Sequence, residues 1–444
     1  MFSDCRNARL SRTSPGRAAA FSIRLETERG RRLDRAFNAA AGNLEPRDRA
    51  FAHELTYGVT RLRGRLDHLI APHVRRGLES VDGKVLELLR LGAYQILYMG
   101  SVPEYAGVSE TVDQIKEAVG GPPAGFANAV LRKVAAAGDG PVRFPSEHDD
   151  VAGYLECWGS HPRWLIDRWL ARWSADDVRR LVIANNRRPA THIVPLEGDL
   201  DQTTERLVAA GFEATAVGRG AFCLRLQDGV SVRDALAAAA PAIVQDPAAN
   251  LVSVYADVPS GTMVADLCAA PGGKALALPA RPEFILAADR SESRIRMLKD
   301  NAHRVGHPMA LVVADALHPP VLGADVVLLD APCTGTGTLA RHPDARWRLG
   351  PDSISEMAAL QGGMLAAAAD CVGPGGLVVY STCTLEPEEN GAVVEAFLSD
   401  RADFAIEDSG VVPASMRAED GTLVVLPQDT EFDGAFAARL RRAS

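Results

Sequence analysis

Between residues 261 and 440 short β-prone runs (262–267, 284–289, 310–314, 325–330 and 377–381) alternate with helical segments. Few folds accept that order: it selects a doubly wound, Rossmann-like α/β sheet with parallel strands and helices on both faces. In such sheets ligands bind outside the carboxyl ends of the strands. The side chains at those ends are therefore the place to look for chemistry.

The rest of the chain has a different grain. From residue 34 to 134 the apolar positions recur at three and four, as in Val85, Leu88, Leu89, Ala93, Ile96 and Leu97, which predicts an all-α domain. Residues 138–150, with Gly140, Pro141 and Pro145, read as a linker. Trp164, Leu165, Trp169, Leu170 and Trp173 then repeat at helical spacing up to the breaker Asn185-Asn186-Arg187-Arg188-Pro189. With Trp158, these tryptophans read as core and not as a base-stacking platform. Runs at 191–196 and 222–226 flank a helical stretch, 203–210, and predict a small α+β domain. At 444 residues the chain has room for three domains, placed at 1–140, 151–240 and 241–444. Residues 1–30 lack a sustained apolar period, although 18–21 could start a helix, and read as a mobile basic arm; Arg6 to Arg35 would meet either RNA backbone or solvent.

Net charge is −9, yet residues 1–100 carry 18 Arg and Lys against 11 Asp and Glu. That asymmetry suggests a polyanion-binding module on an acidic body. No apolar core follows the N-terminal arginines and no window has the length of a membrane span, so the reading is a cytoplasmic protein without a membrane anchor. Seven cysteines, an odd number, suit reduced thiols better than a disulfide scaffold. His303 and His307 stand four apart without supporting ligands, so no metal site is expected.

The strand ends carry the motifs. Asp266-Leu267-Cys268-Ala269-Ala270-Pro271-Gly272-Gly273-Lys274 lies where a strand should give way to a helix, and its glycines let backbone approach a ligand closely. It matches neither the dinucleotide fingerprint nor the P-loop. Asp289 closes the next strand, where a carboxylate can accept hydrogen bonds from a ribose diol; Asp315 and Asp330 close the two after it. An adenosine-bearing cofactor fits that set. Asp330 is followed by Ala331-Pro332-Cys333, and the fifth strand by Thr382-Cys383-Thr384, so two cysteines reach one crevice. Carbon 5 of a pyrimidine is a poor nucleophile, but a thiolate adding to carbon 6 turns it into an enamine-like one. Asp330, protonated or sharing a proton, would assist at N3, and a second thiol such as Cys333, or a water, would assist the final elimination.

On these residues the chain resembles the Nop/Sun RNA (cytosine-5)-methyltransferases, most closely their bacterial RsmB (Sun/Fmu) branch. The matching stretches are 266–274, LLDAPCTGTG at 328–337, RHPDARW at 341–347 and YSTCTLEPEEN at 380–390. The resemblance implies S-adenosylmethionine as methyl donor, held by Cys268, Ala269, Ala270, Pro271, Gly272, Gly273, Lys274, Asp289, Asp315 and Asp330. It also implies Cys383 as nucleophile and Cys333 as the thiol that helps release product. DRAFAHELTYGVTR at 48–61, LRLGAYQILYM at 89–99 and GFANAVLRKV at 125–134 resemble a NusB-like RNA-binding domain, a combination found in the RsmB branch. The substrate implied is 16S rRNA, naked or partly assembled, with 5-methylcytosine as product and the enzyme acting as a monomer. Two departures stand out. Relatives continue after Pro189 with Arg-x-Asn where this chain has Thr191-His192-Ile193-Val194-Pro195-Leu196, so one RNA or subdomain contact is expected to be missing. The closing strand after Asp433-Gly434 has small residues at two commonly aromatic places, which predicts looser packing.

Arg341, His342 and Arg346, following the Cys333 loop, read as contacts to RNA phosphates or the target base, or else as a solvated loop face. A DNA cytosine-5 methyltransferase would use the Pro-Cys cysteine as nucleophile and would not need Cys383. A non-catalytic ribosome-assembly or antitermination factor would not need the complete catalytic set present here.

Overall fold

The computed structural model describes residues 13–444, which fall into two compact units. The helical unit takes the chain through Asn186 and adds the distant segment His342–Arg348. Arg187–Arg341 and Leu349–Ser444 make the other.

The helical unit begins earlier than its sequence suggests. Ser14 accepts the N–H of Arg17 and Pro15 occupies the first turn of the helix Pro15–Glu28. Ala19, Ala20 and Ile23 supply the buried stripe, which is hard to read because the fully buried Arg24 follows it. Arg24 lies inside because Glu87, Thr60 and Glu28 take its guanidinium at 2.8, 2.6 and 2.7 Å. Burial works against the charge of Glu87, but Arg24 and Arg90 hold its carboxyl below the ordinary range. Of the proposed basic arm, residues 1–12 lie outside the described part, while Arg17 and Arg24 are internal ties of this helix.

Pro46–Arg61 and Gly83–Tyr98 approach so closely that a Cβ on Gly58 would lie 2.0 Å from the Tyr94 ring. Only glycine fits that crossing. Val151–Cys157, Arg163–Leu170 and Ala175–Asn186 belong to this unit too. By compactness these three helices group with the N-terminal ones, and the unit's N-terminal stretch ends at Asn186. Trp169 is fully buried edge-on to His161, whereas Trp158 is partly exposed, with Arg65 over its ring at 4.9 Å.

The second unit opens with four antiparallel strands, β1 (His192–Pro195), β2 (Ala214–Gly218), β3 (Ala221–Leu226) and β4 (Ala242–Val244), in the order β2-β3-β1-β4. Helices Leu200–Ala209 and Val232–Ala238 complete a β-α-β-β-α-β unit. The segment that departs from Arg-x-Asn is β1, buried at every residue and paired on both sides, with β3 and β4.

The large sheet has strands β5 (Met263–Asp266), β6 (Phe284–Asp289), β7 (Ala310–Val313), β8 (Ala324–Asp330), β9 (Val372–Thr382), β10 (Phe404–Ile406), β11 (Leu423–Val425) and β12 (Ala435–Arg442). Their order is β10-β12-β9-β8-β5-β6-β7, with β11 on β12. Strands β5 to β9 are parallel, as expected. The sheet as a whole is mixed, because β12 runs antiparallel to β9 and carries β10 and β11 antiparallel to itself. The N–H of Gly434 donates to the carbonyl of Gly337 just past β8, so β12 starts at the carboxyl end of its neighbours and runs back along β9. The small residues of β12 do not leave it open: residues 435–440 are all buried.

Both faces of this sheet are covered, and the apolar runs are continuous for that reason. Val327 and Leu329 of β8 with Val378 and Tyr380 of β9 meet the helices Pro351–Ala369 and Gly391–Asp400. Val326, Leu328, Leu377 and Val379 face the layer that includes Ile295 and Leu298.

Candidate active site

The strand order sets the site. Because β9, β8, β5 and β6 are neighbours, Cys383, Asp330, Asp266 and Asp289 follow adjacent or near-adjacent carboxyl ends. Asp330 is in register with Ser381, whose hydroxyl donates to its Oδ1 at 3.1 Å. The Nζ of Lys274 donates to Oδ2 at 2.7 Å. Burial opposes the charge of Lys274, but Asp330 outweighs it and the ammonium is held above its ordinary range. The lysine of the first motif and the aspartate of the second are thus one charged pair.

Asp266 is the acid the sequence reading left unassigned. It is fully enclosed, accepts the N–H of Cys268 at 3.3 Å, and its pKa is pushed up to about 7 by burial and then by the charge of Asp330. Asp289, also buried, accepts the N–H of Ser291 at 2.9 Å and pairs with Arg294 at 3.3 Å. Asp315 comes two residues after β7, exposed, its carboxylate accepting the N–H of Leu317. Acids at three neighbouring strand ends suit a ligand with cationic centres.

The turn between β5 and the following helix is built for close approach. Gly272 has φ +104°, and a Cβ there would lie 2.4 Å from Leu298 Cδ1. Beside the turn stands Gln245, a residue sequence reasoning missed: it is buried, and neither amide atom has a partner among the described residues. A Cβ on Gly273 would come 3.4 Å from its Nε2. An orphaned buried amide against such a turn offers a donor and an acceptor to whatever occupies the space beside it, ligand or water.

Asp266 yields a first expected result. An acid whose folded pKa lies above its unfolded one gives stability that is complete below about pH 4 and lost as pH rises through about 7. Asp266→Asn removes that dependence. In thermal unfolding of the ligand-free protein the variant should gain on wild type between pH 5 and pH 8, by on the order of a few kcal/mol. A stability difference that stays constant over that interval would speak against the burial argument.

The two cysteines meet. Cys333 Sγ lies 3.3 Å from Cys383 Sγ and accepts the N–H of Cys383 at 3.4 Å. The hydrogen bond with Cys383, reinforced by burial, drives the Cys333 thiol well above the usual cysteine range. Cys268 is also pushed up, by burial. Cys157, Cys223 and Cys371 are free thiols raised by burial, to about 11, 12 and 11.

The loop after Cys333 corrects the sequence reading. Arg341 donates to Asp246 at 2.6 Å, to Asp433 at 2.8 Å and to the carbonyl of Ala190 at 3.3 Å. Its guanidinium is occupied in joining the start of β12 to the helix Pro247–Tyr255, which Asp246 caps. Arg346, expected to face RNA, is 0% exposed within the helical unit. It donates to the carbonyls of Ser160 and Asn185 at 3.0 and 3.1 Å, to Asn186 Oδ1 at 2.8 Å and to the carbonyl of Arg61 at 3.5 Å. Arg61 and Asn185 lie at the ends of two helices, Pro46–Arg61 and Ala175–Asn186, so the cation takes up carbonyls that the helices leave over. Asp344 accepts the N–H of Leu33 and Trp347 donates to the carbonyl of Thr60. His342 is half-buried. Among the described residues no group of side chains could hold a metal ion, and no helix is long and apolar enough to cross a membrane. The helix carrying His303 ends at Val305, before His307.

Comparison with known proteins divides the chain by similarity, and one of the matched stretches crosses Asn186. Residues 255–441 match the profile described as 16S rRNA methyltransferase RsmB/F, residues 16–136 that of the NusB family, and residues 161–233 an RsmF/B-like ferredoxin-like domain. The chain is 32% identical to the ribosomal RNA small subunit methyltransferase B of Pseudomonas syringae pv. tomato, over 96% of each chain. It is 34% identical to a putative methyltransferase of Mycobacterium tuberculosis, over 98% of each. Among solved structures, that of PH0851 superposes with a TM-score of 0.78 at 27% identity, covering 96% of this chain and 98% of the other. A methyltransferase homologue from Pyrococcus horikoshii superposes at 0.54 with the same identity, covering 65% of this chain and 97% of its own.

Proposed function

The chain belongs to the RsmB/F family of 16S rRNA methyltransferases, and from that premise we propose that it moves the methyl group of S-adenosylmethionine to carbon 5 of a cytosine in 16S rRNA, through a covalent bond between Cys383 and carbon 6. The observation that carries the reading is the sulfur pair, 3.3 Å apart beside the Lys274–Asp330 pair.

The donor supplies a methyl group activated by a sulfonium. The residues present fit it: the Gly272 turn is a cradle that a side chain would fill, and Asp266 and Asp330 suit its cationic centres. Residues 268–274 with Asp289, Asp315 and Asp330 would hold it, Asp289 taking the ribose diol.

The chain's own residues then divide the work. The Cys383 thiolate adds to carbon 6, and the ring electrons pass to carbon 5, which takes the methyl group. Charge that builds on the ring during addition is met at N3 through Asp330, to which the Lys274 ammonium donates and through which it can pass a proton that returns when the ring is released. In the last step the carbon-5 proton leaves to water, the 5,6 double bond re-forms and the carbon–sulfur bond breaks. The protonated Cys333 thiol stands against the departing sulfur and stabilises it as thiolate. The target base must be splayed from its helix to reach the crevice, which favours naked or partly assembled rRNA as the cytoplasmic substrate. Incubation with labelled donor and 16S rRNA lacking the modification should place the label in 5-methylcytidine after digestion to nucleosides. Label in another nucleoside, or none, would overturn the assignment.

A further inference from the structure

Behind the sulfur pair lies a buried carboxylate that the mechanism above does not use. Glu389 is fully buried in the short turn Pro387–Glu389. Its Oε2 accepts the N–H of Thr334 at 2.9 Å and the amide of Gln361 at 3.0 Å. Its Oε1 accepts the hydroxyls of Thr384, at 2.9 Å, and of Thr334. Thr334 follows Cys333 and Thr384 follows Cys383 in the chain. Gln361 adds a hydrogen bond to the carbonyl of Pro332, the residue before Cys333, and Tyr380 fixes the backbone of Glu389 at 2.6 Å. Thr336 bridges the two loops a second time, through Thr384 Oγ1 and the N–H of Leu385.

A buried carboxylate with four donors around it has its lone pairs filled from fixed directions, so the groups it holds are over-determined. We propose that Glu389 is a positioning residue: by gripping the residue after each cysteine it sets the separation of the two sulfurs. The proposal rests on the two-cysteine reading above for its consequence in turnover, though not for the geometry itself. Burial raises the Glu389 carboxyl, so the surrounding donors are what keep it an acceptor.

Glu389→Ala, Glu389→Gln, Thr384→Val and Thr336→Val are compared with wild type in two assays. The first measures kcat and KM on 16S rRNA. The second, without RNA, measures how fast diamide joins Cys333 to Cys383, each thiol giving up one hydrogen as the diazene becomes a hydrazine; the linked peptides are read by mass. Glu389→Ala should lower kcat about 100-fold with the donor KM within about threefold, and slow disulfide formation about tenfold or more. Glu389→Gln keeps an oxygen toward the two fixed N–H donors and turns its NH₂ to hydroxyls that can reverse, so it should lose less than about tenfold in each assay. Glu389→Ala with wild-type kcat and a wild-type rate of thiol joining would overturn the proposal. Should that variant fail to fold, Thr384→Val, which removes the Glu389 contact together with the Thr336 bridge, is read against Thr336→Val, which removes the bridge and keeps the contact with Glu389: a loss in both assays clearly larger for Thr384→Val supports the proposal, and equal readings overturn it. Failure of wild type on every RNA would count against the reaction, while the thiol assay would still decide the role of Glu389.

Discussion

Cys383→Ala is expected to lose turnover by about 10⁴-fold or more, because without the sulfur no covalent route activates carbon 5. Cys333→Ala should behave differently. It keeps the nucleophile and loses the thiol that stabilises the departing sulfur, so a protein–RNA adduct should build up on denaturing gels with the labelled methyl already in place. The alanine leaves a cavity of one sulfur atom, and stability should fall by only about 1 kcal/mol in either variant. Donor binding, which the proposal places on residues at β5, β6, β7 and β8, should stay within about threefold. The reverse pattern, an active Cys383→Ala and a dead Cys333→Ala, would assign the nucleophile to the Pro-Cys loop, as in DNA cytosine-5 methyltransferases.

The second large effect is structural. Arg346→Met should cost the helical unit on the order of 1–3 kcal/mol, because it leaves carbonyls at two helix ends unpaired, a loss partly offset by relief from burying the guanidinium. Lysine cannot reach the four acceptors at once and should recover only part of the loss. Denaturant unfolding measures the effect, and the salt dependence of RNA binding separates it from the loop-contact reading. An arginine on a phosphate would leave stability unchanged and reduce the salt slope by about one when removed. An arginine at helix ends lowers stability and leaves that slope alone.

The sequence made the site legible wherever chemistry is tied to a strand end. The continuous apolar runs of β8 and β9 mark strands covered on both faces, and the residues after each run had to project into the crevice. Cys333, Cys383, Asp330 and the Gly272 turn were read that way, and the fold places them at the carboxyl ends of neighbouring strands. Four things were hidden, each for a physical reason. Pairings distant in sequence leave no local trace, so the partnership of Lys274 with Asp330 and the grip of Glu389 on both loops appear only in the fold. A buried charge disguises an apolar stripe, which is why Arg24 concealed the helix Pro15–Glu28. A basic loop looks alike whether it meets phosphate or carbonyl, so Arg346 read as an RNA contact and turned out to close two helices. The antiparallel β12 was also beyond local pattern, because its direction shows only in its pairing with β9, which is distant in sequence.

The division of labour between the two sulfurs is tested most directly by asking which one bonds to the base. Wild type is incubated with S-adenosylmethionine and 16S rRNA carrying 5-fluorocytidine, whose fluorine cannot leave as a proton does, so the adduct persists. Protease and nuclease digestion followed by mass spectrometry then locates the modified cysteine. A cytidine mass on Cys383, with the methyl group included, is the result the mechanism requires; the same mass on Cys333 would contradict it.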